Sequence, residues 1–306
     1  MQMYGMSGES LGVIGKESGN SSSKLPAWKQ DFLSKPSASV RRGIAWVSRY
    51  YTLSITSYWR LDTLTDISEK GFKPPYEDTD TLVLTAPSGE FVDIRFPKDA
   101  RSIADTLKHP SFWAFSGRAE TTFHDATDGM HAVAMPYTAH CKFLHDIDSR
   151  GPGISDEGDM FILINGDCLE MGVMLNPATG KDELYKEYWC SASAVPRSDD
   201  VDDSTTCVVA KVTESASVKG IMIRLGGNVQ GIMSIRKEDG SESIEVERWV
   251  RGKPQHTVDE DFLRGWSKDI RSNGSLPCSW LCMSVKQVGQ KLEYNDTIWE
   301  VTEFQM

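Results

Sequence analysis

Hydrophobic and polar residues alternate with a period of two along Thr81–Pro97, TLVLTAPSGEFVDIRFP. Leu82 and Leu84 alternate with Thr81, Val83 and Thr85. Beyond a tight turn at Ser88-Gly89, Val92, Ile94 and Phe96 alternate with Phe91, Asp93 and Arg95. Successive side chains of a strand leave opposite faces, so one set enters a core and the other the opposite face. The stretch predicts a β-hairpin, and the pattern recurs along the chain.

WAFSGRAETTF and HAVAMPYTAHCKFLHDIDSR read as strands, with Pro136 marking an edge or bulge. A Gly-rich acidic loop, GPGISDEGD, leads to MFILINGDCLEMGVML, where Asn165-Gly166 is a strong hairpin signal. NPATGKDELYKEYW reads as the junction between two halves. The second half repeats the pattern: CVVAKV, then GIMIRL and VQGIMSIRK about a turn at Gly226-Gly227, then SIEVERWV after Asp239-Gly240, and a closing TIWEVTEF. One helix of more than two turns is expected in TVDEDFLRGWSKDI, with Phe262, Leu263, Trp266 and Ile270 on one face behind a capping Thr257 or Asp259. Many short strands with turn signals predict an all-β fold. The expectation is two consecutive antiparallel β-barrel domains, over 41–178 and 179–306, behind a disordered leader over 1–40.

With 306 residues, the chain exceeds the usual single core, which agrees with two domains. The net charge of -11 argues against a nucleic-acid partner and an anionic membrane surface. The charge is uneven: through Arg49 the chain carries a net +4, leaving -15 for the rest. No apolar run reaches the length of a membrane span, and the N-terminus lacks the apolar core of a secretory signal. Cys141, Cys168, Cys190, Cys207, Cys278 and Cys282 are scattered, so reduced thiols are expected rather than a disulfide frame.

No catalytic constellation stands out. His140, Cys141, His145, Asp146 and Asp148, with His124 and His131 upstream, resemble metal ligands at first sight. Strand parity separates them: Cys141, Phe143 and His145 share one face, and His140, Lys142 and Leu144 the other. No metal or catalytic residue is therefore assigned. Asp146, Asp148, Asp156, Glu157 and Asp159 could pair for acid–base work, but acidic residues near Gly usually bond turn amides or water. Cys278 and Cys282 lack the spacing of a redox or zinc pair and read as structural thiols. A barrel can enclose a ligand, which makes Trp113, Trp249 and Trp299 the candidate pocket residues. Ser198, followed by Asp199, Asp200, Asp202 and Asp203, is a candidate phosphorylation site in the acidic context that casein-type kinases favour.

Several segments, in serial order, carry a family resemblance: TDTLVLTAPSGEFVDIR, WAFSG, FLHDIDSR with DEGDM, NGDCLEMG with NPATG, ELYKEYW, IMIRLGGNVQGIMSI, ERW and WEVTEF. From about Asp78 onward the chain resembles the fungal Hri-one proteins, named for an interactor of a casein-kinase-I homologue. The resemblance implies two calycin-like (lipocalin-like) barrels, a cytoplasmic and nuclear location, and no cofactor or defined catalytic residue. It also implies two partners, a casein-kinase-I-type protein kinase and a subunit of the endoplasmic-reticulum translocation machinery. Ser48–Lys73 has no counterpart in the family pattern and reads as an inserted loop or retained intron sequence. The leading expectation is a non-enzymatic protein acting through protein contacts. A carrier of a small apolar molecule is the first alternative, and a barrel-type isomerase or cyclase is the second. A buried set of converging carboxylate, His or Tyr side chains is what the enzyme reading requires.

Overall fold

The computed structural model describes residues 44–53, 77–123, 138–153, 155–162, 168–176, 180–191, 206–213, 215–251, 265–272, 276–283 and 286–306. The first eight strands are β1 (Ile44–Leu53), β2 (Thr79–Thr85), β3 (Glu90–Pro97), β4 (Trp113–Phe123), β5 (Thr138–Asp148), β6 (Ser155–Ile162), β7 (Cys168–Asn176) and β8 (Lys181–Ser191). They close into an antiparallel barrel in chain order. Closure is made by β1, which pairs β2 through Ile44–Trp46 and β8 through Trp46–Leu53.

The second unit is a seven-stranded antiparallel sheet. Its strands are β9 (Cys207–Thr213), β10 (Val218–Leu225), β11 (Asn228–Arg236), β12 (Glu242–Arg251), β13 (Trp266–Lys268), β14 (Lys291–Tyr294) and β15 (Thr297–Gln305). Their order is β13-β12-β11-β10-β9-β15-β14. The fold is thus nearly all β, as the alternation predicts. Two short helices, α1 (Ile103–Lys108) and α2 (Cys278–Cys282), complete it.

The turn chemistry behaves as read. Gly89 sits at φ +88 in the β2–β3 turn and Gly226 at φ +53 in the two-residue β10–β11 turn, a region that disfavours side chains. Four expectations are corrected. NPATGKDELYKEYW is not a domain junction: Asn176 pairs Lys181, and β8 belongs to the first barrel, so the passage to the second sheet comes after Ser191 and not at 178. Of Ser48–Lys73, read as an inserted loop, the first residues are not loop: Ser48–Leu53 is strand paired to β8. The expected helix ends in strand, since Gly265 at φ +82 breaks the helical course and Trp266–Lys268 pairs β12; its earlier residues lie outside the described ones. The acidic "loop" is half strand: Ser155–Asp159 pairs β5. The leader over 1–40, Pro136 and Asn165-Gly166 lie outside the described residues.

Both faces of the β2–β3 ribbon are largely buried. Leu82, Leu84, Val92, Ile94 and Phe96 point out of the barrel and pack on Val209, Ile221, Ile223, Ile232 and Val246 of the second sheet. Val83 and Phe91 point into the barrel, with Cys168, Trp189, Trp113 and Phe115. Each fully buried Leu, Ile or Phe contributes about 1.5–3 kcal/mol, so the shared layer locks barrel to sheet.

A polar clasp sits within that apolar layer. Gln230 on β11 donates from Nε2 to the Leu82 and Val92 carbonyls at 2.8 and 3.2 Å. Arg248 on β12 donates from Nε to Gln230 Oε1 at 2.8 Å and from Nη2 to the Ile94 carbonyl at 2.7 Å. Both side chains are buried, and they satisfy ribbon carbonyls that the neighbouring sheet shields from water. Arg248→Met keeps the volume and strands these acceptors. The expected loss is about 3 kcal/mol of stability, read from the urea midpoint at unchanged slope. A loss within about 0.5 kcal/mol would show the clasp to be dispensable.

Candidate functional site

Inside the barrel, strand parity collects charged side chains rather than apolar ones. β3 contributes Asp93 and Arg95, β5 His145 and Asp148, β6 Asp156, β7 Glu170, and β8 Tyr185 and Glu187. Glu170 and Glu187 lie directly opposite in the β7–β8 ladder, both buried. Like charges in that relation repel.

Arg95 is the hub. Its Nε and Nη2 donate to Asp93 Oδ2 at 3.0 and 2.8 Å, and Nη1 donates to Glu187 Oε1 at 3.2 Å. Its guanidinium lies 5.0 Å from the Trp113 ring and 5.7 Å from the Trp189 ring. Burial works against the charge, and the attraction of Asp93 and Glu187 outweighs it, so Arg95 stays protonated. Burial raises the Asp93 carboxyl despite Arg95, and Asp93 Oδ1 has no hydrogen-bond partner.

A β-bulge assembles the second part. The β4–β5 register shifts between Ser116 and Gly117, so Asp146 has no partner across the ladder. Strict alternation would put Ile147 inside with His145. The bulge sends Ile147 outward to the inter-sheet core and turns Asp148 inward. His145 Nδ1 then meets Asp148 Oδ2 at 2.7 Å, and Asp148 Oδ1 accepts from Trp113 Nε1 at 3.0 Å and from the Arg150 amide at 2.7 Å. Asp156 Oδ1 lies 3.4 Å from His145 Nε2, an ion pair without hydrogen-bond alignment. Burial pushes His145 down, while Asp148 and Asp156 raise it further, to about 9. At neutral pH it is an imidazolium held between carboxylates.

Glu170 closes the set. Oε1 accepts from the Tyr185 hydroxyl at 2.5 Å and Oε2 from Trp189 Nε1 at 2.8 Å. Burial, then the charge of Asp156, raises it to about 7 against these two donors. Gly158 and Gly172, opposite each other, make room: a Cβ on Gly172 would lie 2.7 Å from the Tyr185 hydroxyl.

Part of this set borders a cavity of about 90 Å3. Phe91, Phe115, Phe143 and Trp189 form its apolar wall. Asp93, Arg95, Asp156 and Glu170 supply its polar atoms. Cys141 also reaches it, but burial pushes that thiol up to about 12, so it is neutral. Among the described residues, no three His, Cys, Asp or Glu side chains are placed to hold a metal ion.

The structure separates the three tryptophans singled out from the sequence. Trp113 is in the barrel. Trp249 and Trp299 pack on the second sheet in a cluster that includes Cys278, Leu281 and Cys282 of α2. Ser198, His124 and His131 lie outside the described residues. His140 faces outward, on Asp159 at 3.0 Å. Asp148 and Asp156 are a correction: read as loop carboxylates, they flank His145 in the interior.

A family profile described as Protein HRI1 matches residues 66–303. The curated relatives include Protein HRI1 of Saccharomyces cerevisiae strains YJM789 and RM11-1a. Each is 22% identical over 242 residues, covering 75% of this chain and 93% of the relative. Among solved structures, the crystal structure of the uncharacterized protein YLR301w from Saccharomyces cerevisiae matches with a TM-score of 0.57. It is 18% identical and covers 87% of this chain and all of that one, a likeness of fold. Among the described residues, no helix is long and apolar enough to cross a membrane.

Two predictions follow from the geometry. A Cβ on Gly117 would lie 1.8 Å from the Leu144 carbonyl oxygen, a backbone atom in the adjoining strand. Gly117→Ala is expected to break the bulge and lower stability by about 3 kcal/mol or more, measured by urea unfolding; a neutral result would mean the bulge relaxes freely. The second concerns pH. Glu170 is raised from 4.5 to about 7, so its contribution to stability is complete below 4.5 and is lost as pH rises through 7. His145 is raised from 6.5 to about 9, so its contribution is complete below 6.5 and is lost as pH rises through 9. Both fall in the same direction. Thermal stability is expected to fall steadily from acid to alkaline pH across that span. Glu170→Gln should flatten the lower half of the profile, whatever its own starting stability.

Proposed function

The chain belongs to the HRI1 family, and from that premise we propose that its barrel is a binding module that holds a small polar molecule. The observation that carries this reading is the buried, unpartnered Asp93 Oδ1 on the wall of a cavity of about 90 Å3. A barrel kept only as scaffold gains nothing from this arrangement. Burying carboxylates costs several kcal/mol per ion, and apolar filling of the same volume is usually at least as stable. An apolar ligand, the first alternative expected from the sequence, matches the aromatic wall but would leave the buried Asp93 Oδ1 without a donor.

A second reading, acid–base catalysis as in a barrel isomerase or cyclase, draws on Glu170, which titrates near 7 beside Tyr185. Two features weigh for binding instead. His145 is locked as a cation between Asp148 and Asp156, so it offers no free base. The cavity, well short of the roughly 300–1,000 Å3 of ordinary ligand pockets, admits a molecule of a few heavy atoms, smaller than a cyclisation substrate. A kinase of the casein-kinase-I type, a translocation subunit, and a cytoplasmic and nuclear location remain proposals carried by the family resemblance. In that picture, docking is a property of the surface and ligand holding a property of the barrel.

The test is purification of the full chain from its own cells, with mass spectrometry of the native protein and of the extract released on denaturation. A small polar molecule is expected in stoichiometric amount. It should be depleted from Ala119→Leu, in which a larger side chain projects from the cavity wall. Recovery of a kinase with no released small molecule, from both forms alike, would replace this reading with the docking one.

A further inference from the structure

We infer that the barrel's occupant is a small organic monocation of the ammonium or guanidinium class. The inference rests on the binding reading above and supplies its ligand class. Among the described interior side chains, the acids Asp93, Asp148, Asp156, Glu170 and Glu187 face only two cations, Arg95 and His145. Those two are already engaged. Arg95 is held by Asp93 Oδ2 and Glu187 Oε1, and His145 by Asp148 and Asp156. What remains facing the cavity is acceptor capacity. Asp93 Oδ1 has no partner on a side chain that is only 2% exposed, and Asp156 Oδ1 is held only by its 3.4 Å ion pair with His145. Carboxylate oxygens without donors ask for N–H groups, and charged donors make the stronger bonds.

The wall supports the same sign of charge. Phe91, Phe115, Phe143 and Trp189 border the cavity, and ring faces attract cations in a desolvated site. The barrel already uses that attraction on Arg95, which stands against the Trp113 and Trp189 rings. An anion would meet Asp93, Asp156 and Glu170 on the wall, and an occupant without N–H groups would leave Asp93 Oδ1 unpartnered.

Size sets the upper bound. A dry cavity of about 150 Å3 accommodates benzene, so about 90 Å3 accommodates an ion of a few heavy atoms. The donor set does not suit a metal ion, since no three ligating side chains among the described residues converge on one point. Methylammonium and guanidinium are of the right size, and guanidinium can donate to Asp93 and Asp156 together.

The experiment compares three planar probes of equal heavy-atom count on the full chain: guanidinium, urea and acetate. Each is used as a dilute addition at constant ionic strength, with ligand-observed NMR as the readout. Guanidinium is expected to bind about tenfold more tightly than urea, with acetate weakest. Ala119→Leu should abolish binding, and Asp93→Asn should weaken guanidinium by about tenfold while leaving urea within about twofold. Because Asp93 also supports Arg95, Asp156→Asn serves as a second variant with the same expected selectivity. If urea or acetate binds more tightly and Ala119→Leu removes it, the charge assignment falls and the binding barrel stands. If none of the three binds below the concentration at which guanidinium unfolds the chain, the inference falls, and the binding reading is then decided by whether a small molecule co-purifies with the chain. Guanidinium binding that survives Ala119→Leu places the cation outside the barrel and also overturns the inference.

Discussion

Apart from Asp80 at its edge, the β2–β3 ribbon is largely buried on both faces, and the rest of the molecule follows from that constraint. One face lies in the apolar layer shared with the second sheet, and the other faces the barrel interior. Asp93 and Arg95 are therefore buried by topology. A charge in that position must find its partners within the barrel, because the desolvation penalty of an isolated ion exceeds the stability of a domain. Arg95 meets the requirement with Asp93 and Glu187, and the requirement then passes to the partners. Glu187 lies opposite Glu170, Glu170 needs Tyr185 and Trp189, and Asp156 stands near both Glu170 and His145. The interior is a chain of obligations begun by one ribbon.

The second sheet serves that ribbon from outside. Gln230 and Arg248 reach across the apolar layer to its carbonyls, so both sheets hold β2 and β3 rigid. Rigidity matters for the site, since a preorganised carboxylate binds without first being ordered. The bulge at Asp146 does comparable work on the far wall. It lets one strand send Ile147 to the inter-sheet core and Asp148 to the barrel, two neighbouring residues to two different environments. Gly117 is what allows the strands to approach there.

Much of this was legible in the chain and part of it was not, for physical reasons. Period-two alternation marks a strand between an apolar and a polar environment, and it identified β2, β3, β4, β10, β11, β12 and β15. It fails where the polar environment is itself interior. SDEGD reads as a solvated loop because Asp156 and Gly158 occupy inward positions that an ordinary core would fill with Val or Leu. ELYKEYW shows the same inversion, with Tyr185, Glu187 and Trp189 inward, so β8 was assigned to the wrong half. Parity placed Cys141, Phe143 and His145 together correctly. It could not place Asp148, because a bulge leaves no mark in composition beyond a glycine on the opposite strand. The tryptophans misled for a different reason: aromatic bulk signals burial, but not in which of two cores.

The choice between scaffold, catalyst and receptor turns on what the interior leaves unsatisfied. A scaffold pairs its buried charges completely or replaces them with apolar side chains. A catalyst needs at least one group free to exchange a proton, and here the strongest candidate base is already a clamped cation while the cavity thiol is held neutral. What this barrel leaves open is acceptor capacity on Asp93 and Asp156, beside aromatic rings and inside a small volume. Acceptors without donors describe half of a binding equilibrium. An occupant with N–H groups and positive charge completes it, since charged donors make the stronger bonds to a carboxylate.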